Sequence, residues 1–315
     1  MKRSLCMTVL VGLGVLATWV SNAAQEPRFP IRALEIAQNL HVLSSDPSQQ
    51  GMRTGGNTGV FVTTSGIVLV DTKIKGYGPD ILEEVRKISD KPITTIINTH
   101  THWDHSGSNP EFSDTINFVA HDNTLKHMSG NNCSDGTGFQ GGSITNCESF
   151  KGANEKYLPN TTFATQHTLF SGSDQIDLYY FGRGHTDGDI FVVYKEARTV
   201  QTGDMFARKG LPYIDSARSN GSATEFGETL RKAVAGISDI DHVITGHADD
   251  PHTWTDLVNY SGFYNDLATK AKAANSSNQS LDDFVSTYRA PTQYSDFAVD
   301  EGRLRTVVEL MYNGQ

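Results

Sequence analysis

Asn98-Thr-His-Thr-His-Trp-Asp-His-Ser-Gly-Ser-Asn109 is the stretch on which the reading of this chain turns. It packs His100, His102, Asp104 and His105 into six residues. Alternate side chains of an extended segment share a face, so His100 and His102 can address one ion. Asp104 and His105 follow on a turn that can present them to a second. Upstream, Thr94-Thr-Ile-Ile-Asn98 reads as a buried strand. The cluster therefore falls where a rigid strand ends and a loop begins, a position that holds ligands still.

Working outward, Gly59–Thr64 and Gly66–Asp71 are β-rich runs joined by a turn-like Ser65-Gly66, which predicts a hairpin. Ile81, Leu82, Val85 and Ile88 have helical spacing between Pro79 and Ile88. Thr115–Ala120 reads as a strand. Residues 131–162, rich in Gly, Ser, Asn and Thr, read as a long surface loop. Gln175–Phe181, Asp189–Tyr194, Thr199–Thr202 and Asp241–Thr245 read as strands. Ala223–Ile237, Trp254–Ala273 and the stretches near Leu281 and Leu304 read as helices, the last three as a C-terminal cover. This order implies layered α and β structure.

The amino terminus follows a different rule. Lys2 and Arg3 precede an apolar run from Leu5 to Val20, and Ser21-Asn-Ala-Ala24 offers small residues for cleavage. The pattern is that of a secretory signal peptide over residues 1–24, leaving 25–315 as one domain in the periplasm or outside the cell. The rival, an uncleaved anchor, asks for a longer span; no later segment is apolar for long enough. Losing Lys2 and Arg3 takes the formal charge of −10 two units further negative. Such a chain repels polyphosphate, which argues against nucleic acid and for a small-molecule partner. Cys6 lies in the leader. Cys133 and Cys147 remain, and export favours their pairing over two free thiols.

Three further sites carry metal-type side chains after glycine: His185 after Gly184, Asp204 after Gly203 and His247 after Gly246. Five histidines and two aspartates are too many for one catalytic tetrahedral ion, which takes three protein ligands and a water. They suit two. His100, His102 and His185 would hold the first, Asp104, His105 and His247 the second, with Asp204 bridging. Imidazole-rich ligation favours two Zn2+, with iron or manganese open at the second site. A water shared by two divalent ions becomes a nucleophile near neutral pH while the ions polarise a carbonyl. Asp104 or water would protonate the departing group. The reaction class is metal-assisted hydrolysis.

On these residues the chain resembles the metallo-β-lactamase superfamily. The signature His-x-His-x-Asp-His stands intact at His100–His105, and the Gly-His, Gly-Asp and Gly-His elements follow in order over roughly residues 40–249. The resemblance implies a four-layer αββα sandwich with the metals at one edge between two sheets. It implies too that Asp71, ending the hairpin, supports the metal loop by hydrogen bonds. Mixed-ligand lactamases carry Cys where Asp204 stands and lack His105; the all-histidine subclass lacks the bridging Asp. Having both is similar to the glyoxalase-II, lactonase and general hydrolase branches. A small cyclic amide such as a β-lactam leads as substrate, with lactones and thioesters next. A non-catalytic metal or ligand carrier and a nuclease are more distant readings. Trp103, Arg208, Lys209 and Tyr213 are the candidate substrate contacts, weighed against simple packing for Trp103 and an exposed charged loop for the others.

Overall fold

The computed structural model describes residues 29–45, 54–130 and 147–315. The leader and Cys133 lie outside them, and so does the proposed pairing with Cys147.

Two sheets form the centre. The first runs in sequence order, β1 (Ile31–Ala37), β2 (Leu40–Ser45), β3 (Thr58–Val62), β4 (Ile67–Val70), β5 (Ile93–Ile97), β6 (Asn117–His121) and β7 (Thr161–Phe163). The second contains β8 (Gln166–Leu169), β9 (Ile176–Tyr179), β10 (Phe191–Tyr194), β11 (Thr199–Gln201), β12 (His242–Ile244) and β13 (His252–Thr253). The expected hairpin is β3–β4, antiparallel with Gly59 opposite Val70. The pairs β4–β5, β5–β6 and β11–β12 are parallel. Their carboxyl ends therefore point the same way within each sheet, which is where ligands gather in open α/β sheets.

Strand alternation builds three apolar layers. Val68, Val70, Ile97 and Val119 face Leu178, Val192 and Tyr194 between the sheets. Ile67, Leu69, Ile96 and Phe118, on the other face, meet Ile81 and Val85 of α1 (Gly78–Ile88). On the far side, Phe191, Val193, Val200 and Val243 meet Phe226 and Leu230 of α4 (Ala223–Gly236) and Leu257, Phe263 and Tyr264 of α5 (Trp254–Ser276). Being covered on both faces, β4 and β10 are buried at every position. The result is the four-layer αββα sandwich. Two short helices, α2 (Trp103–Ser106) and α3 (Asp122–Met128), follow strands of the first sheet. The C-terminal α6 (Leu281–Thr287) and α7 (Glu301–Tyr312) complete the outer layer, with Leu304, Val307 and Val308 buried in the same core.

Two expectations need correction. Nothing was read as a strand before Gly59, yet β1 and β2 pair there; the partly exposed β1 with its interspersed Arg32 and Glu35, and the mixed Leu40–Ser45 of β2, hide the period. The stretch 131–162 is not one loop: 3₁₀ turns occupy Cys147–Phe150 and Gly152–Tyr157, and β7 opens at Thr161. Among the described residues no helix is long and apolar enough to cross a membrane.

The Phe226 ring centre lies 4.5 Å from that of Tyr264, the two rings tilted, and Phe226 is fully buried. Phe226→Ala should cost about 3–5 kcal/mol by denaturant titration; a loss under about 1 kcal/mol would mean the outer layer is loosely held.

Candidate metal centre

Every presumed ligand leaves the carboxyl end of a strand. β5 runs into the segment holding His100 to His105, β11 into Asp204 and β12 into His247. His185 stands in the connection between β9 and β10. The glycines before them are needed for close approach. Gly203 has φ +49°, a left-handed backbone. A Cβ on Gly246 would collide with Asp204 Oδ1, and one on Gly56 with the His105 ring.

These elements bring all seven side chains together. The metal-capable atoms of His100, His102 and His185 lie within 4.8 Å of one another, as do those of His100, His105 and Asp204, and those of Asp104, His105 and His247. His185 Nε2 is 2.8 Å from His102 Nδ1. His105 Nε2 is 3.3 Å from His247 Nε2. Asp204 stands between the groups: Oδ2 is 3.6 Å from His185 Nε2, and Oδ1 is 3.3 Å from His105 Nε2 and 3.2 Å from His247 Nε2. Asp104 Oδ2 lies 3.4 Å from His247 Nε2. His100 Nε2 and Asp204 Oδ1 are buried without a hydrogen-bond partner. Unpartnered buried polar atoms are costly, and a divalent cation satisfies both. The donor set therefore fits the two-ion arrangement.

The opposite edge of four of the five rings is engaged, which turns the other nitrogen inward. His105 Nδ1 donates to Asp71 Oδ2 at 2.7 Å. His185 Nδ1 donates to the Tyr213 carbonyl at 2.8 Å. His102 Nε2 donates to Asp215 Oδ2 at 2.9 Å. His100 Nδ1 lies 3.0 Å from Thr99 Oγ1. Asp71, fully buried with φ +63°, also accepts from Thr99 N (2.8 Å) and Thr99 Oγ1 (2.7 Å). Below the loop, Asn109 Nδ2 donates to Asn98 Oδ1 and Thr72 Oγ1 to Asn109 Oδ1, both at 2.8 Å.

Electrostatics divide the centre into two poles. Burial, reinforced by repulsion from the neighbouring imidazoles, pushes His100 well below the usual histidine range. His185 is lowered for the same reasons, burial first and His102 next. Burial opposes the charge on His105 too, but Asp71, Asp204 and Asp104 draw it well above the usual range. Burial would raise Asp204, yet His247 and His105 hold it well below the carboxylate range. One pole is thus neutral imidazole, the other acid-rich.

Sequence reasoning missed two groups here. Asp215 orients His102 and is itself held by Ser219 Oγ (2.8 Å) and Arg218 (3.5 Å); burial resists, but these contacts keep its carboxyl well below its ordinary value. Lys73 is fully buried, with Nζ donating to the Gly56 carbonyl at 2.9 Å. Burial, against the pull of Asp71, brings its ammonium down to about 7. Gly56 N in turn donates to the Asp104 carbonyl at 2.7 Å. Neither residue sits in a motif; only their placement beside the centre reveals them. His121, by contrast, stacks on Tyr180 at 4.0 Å and caps α3, away from the centre.

The centre opens into a cavity of about 530 Å³. Trp103, Arg208, Lys209 and Tyr213 all line it. Lys209 is already paired, with Nζ 2.7 Å from Asp256 and 3.7 Å from Asp296.

Residues 51–247 match the family described as Metallo-beta-lactamase superfamily, and the chain belongs to that superfamily, most of whose members are hydrolases. The chain is 20% identical over 286 residues to the Metallo-beta-lactamase type 2 of Elizabethkingia meningoseptica, covering 87% of this chain and all of that one. Its fold is similar to a metallo-beta-lactamase from Pontibacter korlensis, with TM-score 0.58, 18% identity, and coverage of 75% of this chain and 99% of that chain. It is also similar to the sec-alkyl sulfatase PisA1, with TM-score 0.68, 15% identity, and coverage of 90% of this chain and 50% of that chain.

Removing an outer partner of a ligating histidine weakens metal binding about 10–100-fold. Asp71→Ala and Asp215→Ala should each do so in competitive zinc titrations; unchanged affinity in both would show that the two carboxylates do not support the centre.

Proposed function

We propose that this chain is an exported dinuclear zinc hydrolase that opens the carbonyl bond of a small cyclic amide or ester. The observation that carries the reading is Asp204 standing within 3.6 Å of His185 and 3.3 Å of both His105 and His247, between two complete ligand groups. His100, His102 and His185 would hold one ion, Asp104, His105 and His247 the other, with Asp204 shared. When bound, the ions supply Lewis acidity and an activated water.

The chain's own residues do the rest. Asp71 and Asp215 fix the orientation of His105 and His102. Asp104, at the cavity wall, is placed to hand a proton to the departing group. Trp103 and Tyr213 offer apolar faces against which a small substrate can lie. The leader at residues 1–24, a mature domain of 25–315 in the periplasm or medium, and a Cys133–Cys147 disulfide belong to the same proposal. They rest on the sequence pattern. β-Lactams lead as substrates because export would place the enzyme where such compounds act and because two of the three similar proteins named above are metallo-beta-lactamases. Having His105 and Asp204 together favours lactones or thioesters as the second reading.

The test is a chromogenic cephalosporin assayed beside a lactone and a thioester. At least one should turn over, lose its activity on dialysis against a chelator and regain it with zinc. Asp204→Ala should lower kcat/KM by more than about 100-fold, beyond what loss of an outer partner causes. Full activity after chelation would contradict the metal requirement. Stoichiometric zinc binding without any turnover would instead favour a metal carrier. Fast lactone opening with no cephalosporin hydrolysis would remove the lactam reading alone.

A further inference from the structure

The cavity beside the metal centre is closed by a helix outside the residues that match the family, which end at 247. Asp300 caps α7, accepting from Arg303 N at 2.8 Å, and both residues face the cavity. The Arg303 guanidinium lies 5.3 Å from the centre of the Tyr213 ring. That ring centre lies 5.8 Å from the His185 ring and 6.2 Å from the His102 ring. A single aromatic side chain therefore separates a fixed cation from the imidazoles of the first metal group.

Two polar neighbours of this spot, Tyr213 and Lys209, are engaged. Tyr213 accepts at its hydroxyl from Arg218 (2.9 Å) and at its carbonyl from His185. Lys209 is neutralised by Asp256. Two guanidinium groups on the cavity wall differ: neither Arg208 nor Arg303 makes a side-chain hydrogen bond or ion pair among the described residues. Arg303 is half-buried, Arg208 exposed. A guanidinium lying over an aromatic ring still has N–H donors at its edge, in the fork that matches an oxyanion. The Arg303 side chain is also held in place from below, because α7 is anchored by Leu304, Val307 and Val308 in the core.

We propose that Arg303, seated on Tyr213, binds an oxyanion carried by the substrate, with Arg208 as a second contact, so that the C-terminal helix selects anionic substrates. A carboxylate and a sulfonate present the same chemistry to such a site. The proposal rests on the hydrolase reading for its kinetic consequence but not for its binding consequence, and the experiment keeps the two apart.

Matched pairs of lactam, lactone and thioester, each as a free carboxylate and as its methyl ester, are compared with the zinc-loaded protein and with Arg303→Met, Arg303→Lys and Arg208→Ala. The wild-type chain should prefer the carboxylate member by about 10- to 100-fold in kcat/KM, the span of one charge-assisted contact. Arg303→Met should collapse that ratio mainly through KM, and Arg303→Lys should restore part of it. In parallel, benzoate and benzenesulfonate are titrated calorimetrically against the zinc-loaded wild-type and Arg303→Met proteins. Weaker binding of either anion to the variant supports the site, and the stronger of the two names the preferred oxyanion. A ratio and an anion affinity both unmoved by Arg303→Met, in a variant whose melting curve matches wild type, would overturn it. Absence of turnover on every pair would count against the hydrolase reading, and the titrations would still decide the anion site.

Discussion

A carboxylate buried at the end of β4 holds the centre together. Asp71 has no exposed surface and sits in a left-handed backbone conformation. Burying such a charge is expensive unless it is fully hydrogen-bonded. Here Thr99 supplies two donors and His105 a third. The same three bonds join the ends of two parallel strands, fix the start of the histidine segment and turn His105 so that Nε2 faces inward. Packing alone would not achieve this, because the apolar layers fix where the strands lie but not how the loops beyond them are rotated.

The inward atoms then create a problem that a cation answers. Five imidazoles and two carboxylates aim lone pairs at a shared space, and two of those atoms are buried without a partner. Around His100 the neighbours disfavour a proton; around His105 the acids favour positive charge. The two poles differ in charge: Asp204 reaches both, while Asp104 and Asp71 add carboxylate beside His105 alone.

How much of this is legible in the sequence depends on distance along the chain. The cluster at His100–His105 is local, so spacing alone exposes it. His185, Asp204 and His247 are legible because each follows a glycine at a strand end, and the structure gives the reason: a side chain at Gly246 would occupy the place of the Asp204 carboxylate. Asp215 is not legible. It lies 113 residues from His102 in an ordinary polar turn, and only the packing of that turn against the His185 segment brings it in. Lys73 is hidden differently, as a charged residue in a loop that composition alone would place in solvent. The edge strand β1 escapes because a partly exposed ribbon bearing Arg32 and Glu35 has neither a clean alternation nor a continuous apolar run, and β2, buried at Leu40, Val42, Leu43 and Ser44, is too short and too mixed with His41 and Ser45 to show one.

The C-terminal helices change what similarity to the family can carry over. Read from sequence they are an outer cover for the sandwich or a short substrate-binding extension, and they do bury Leu257, Phe263 and Leu304 against the second sheet. They also hold the substrate-facing loop. Lys209 is paired with Asp256 at the start of α5, Ala298 N donates to the Lys209 carbonyl at 3.2 Å, and Gly210 bridges to Ala298. The loop that follows Asp204 is therefore positioned by residues beyond 247. The metal-capable side chains lie within the region that matches the family. The wall that meets the rest of the substrate is set by contacts outside it. Two chains with the same ligand set can then bind different molecules, because the groups that recognise a substrate are placed by a different part of the chain from the groups that attack it.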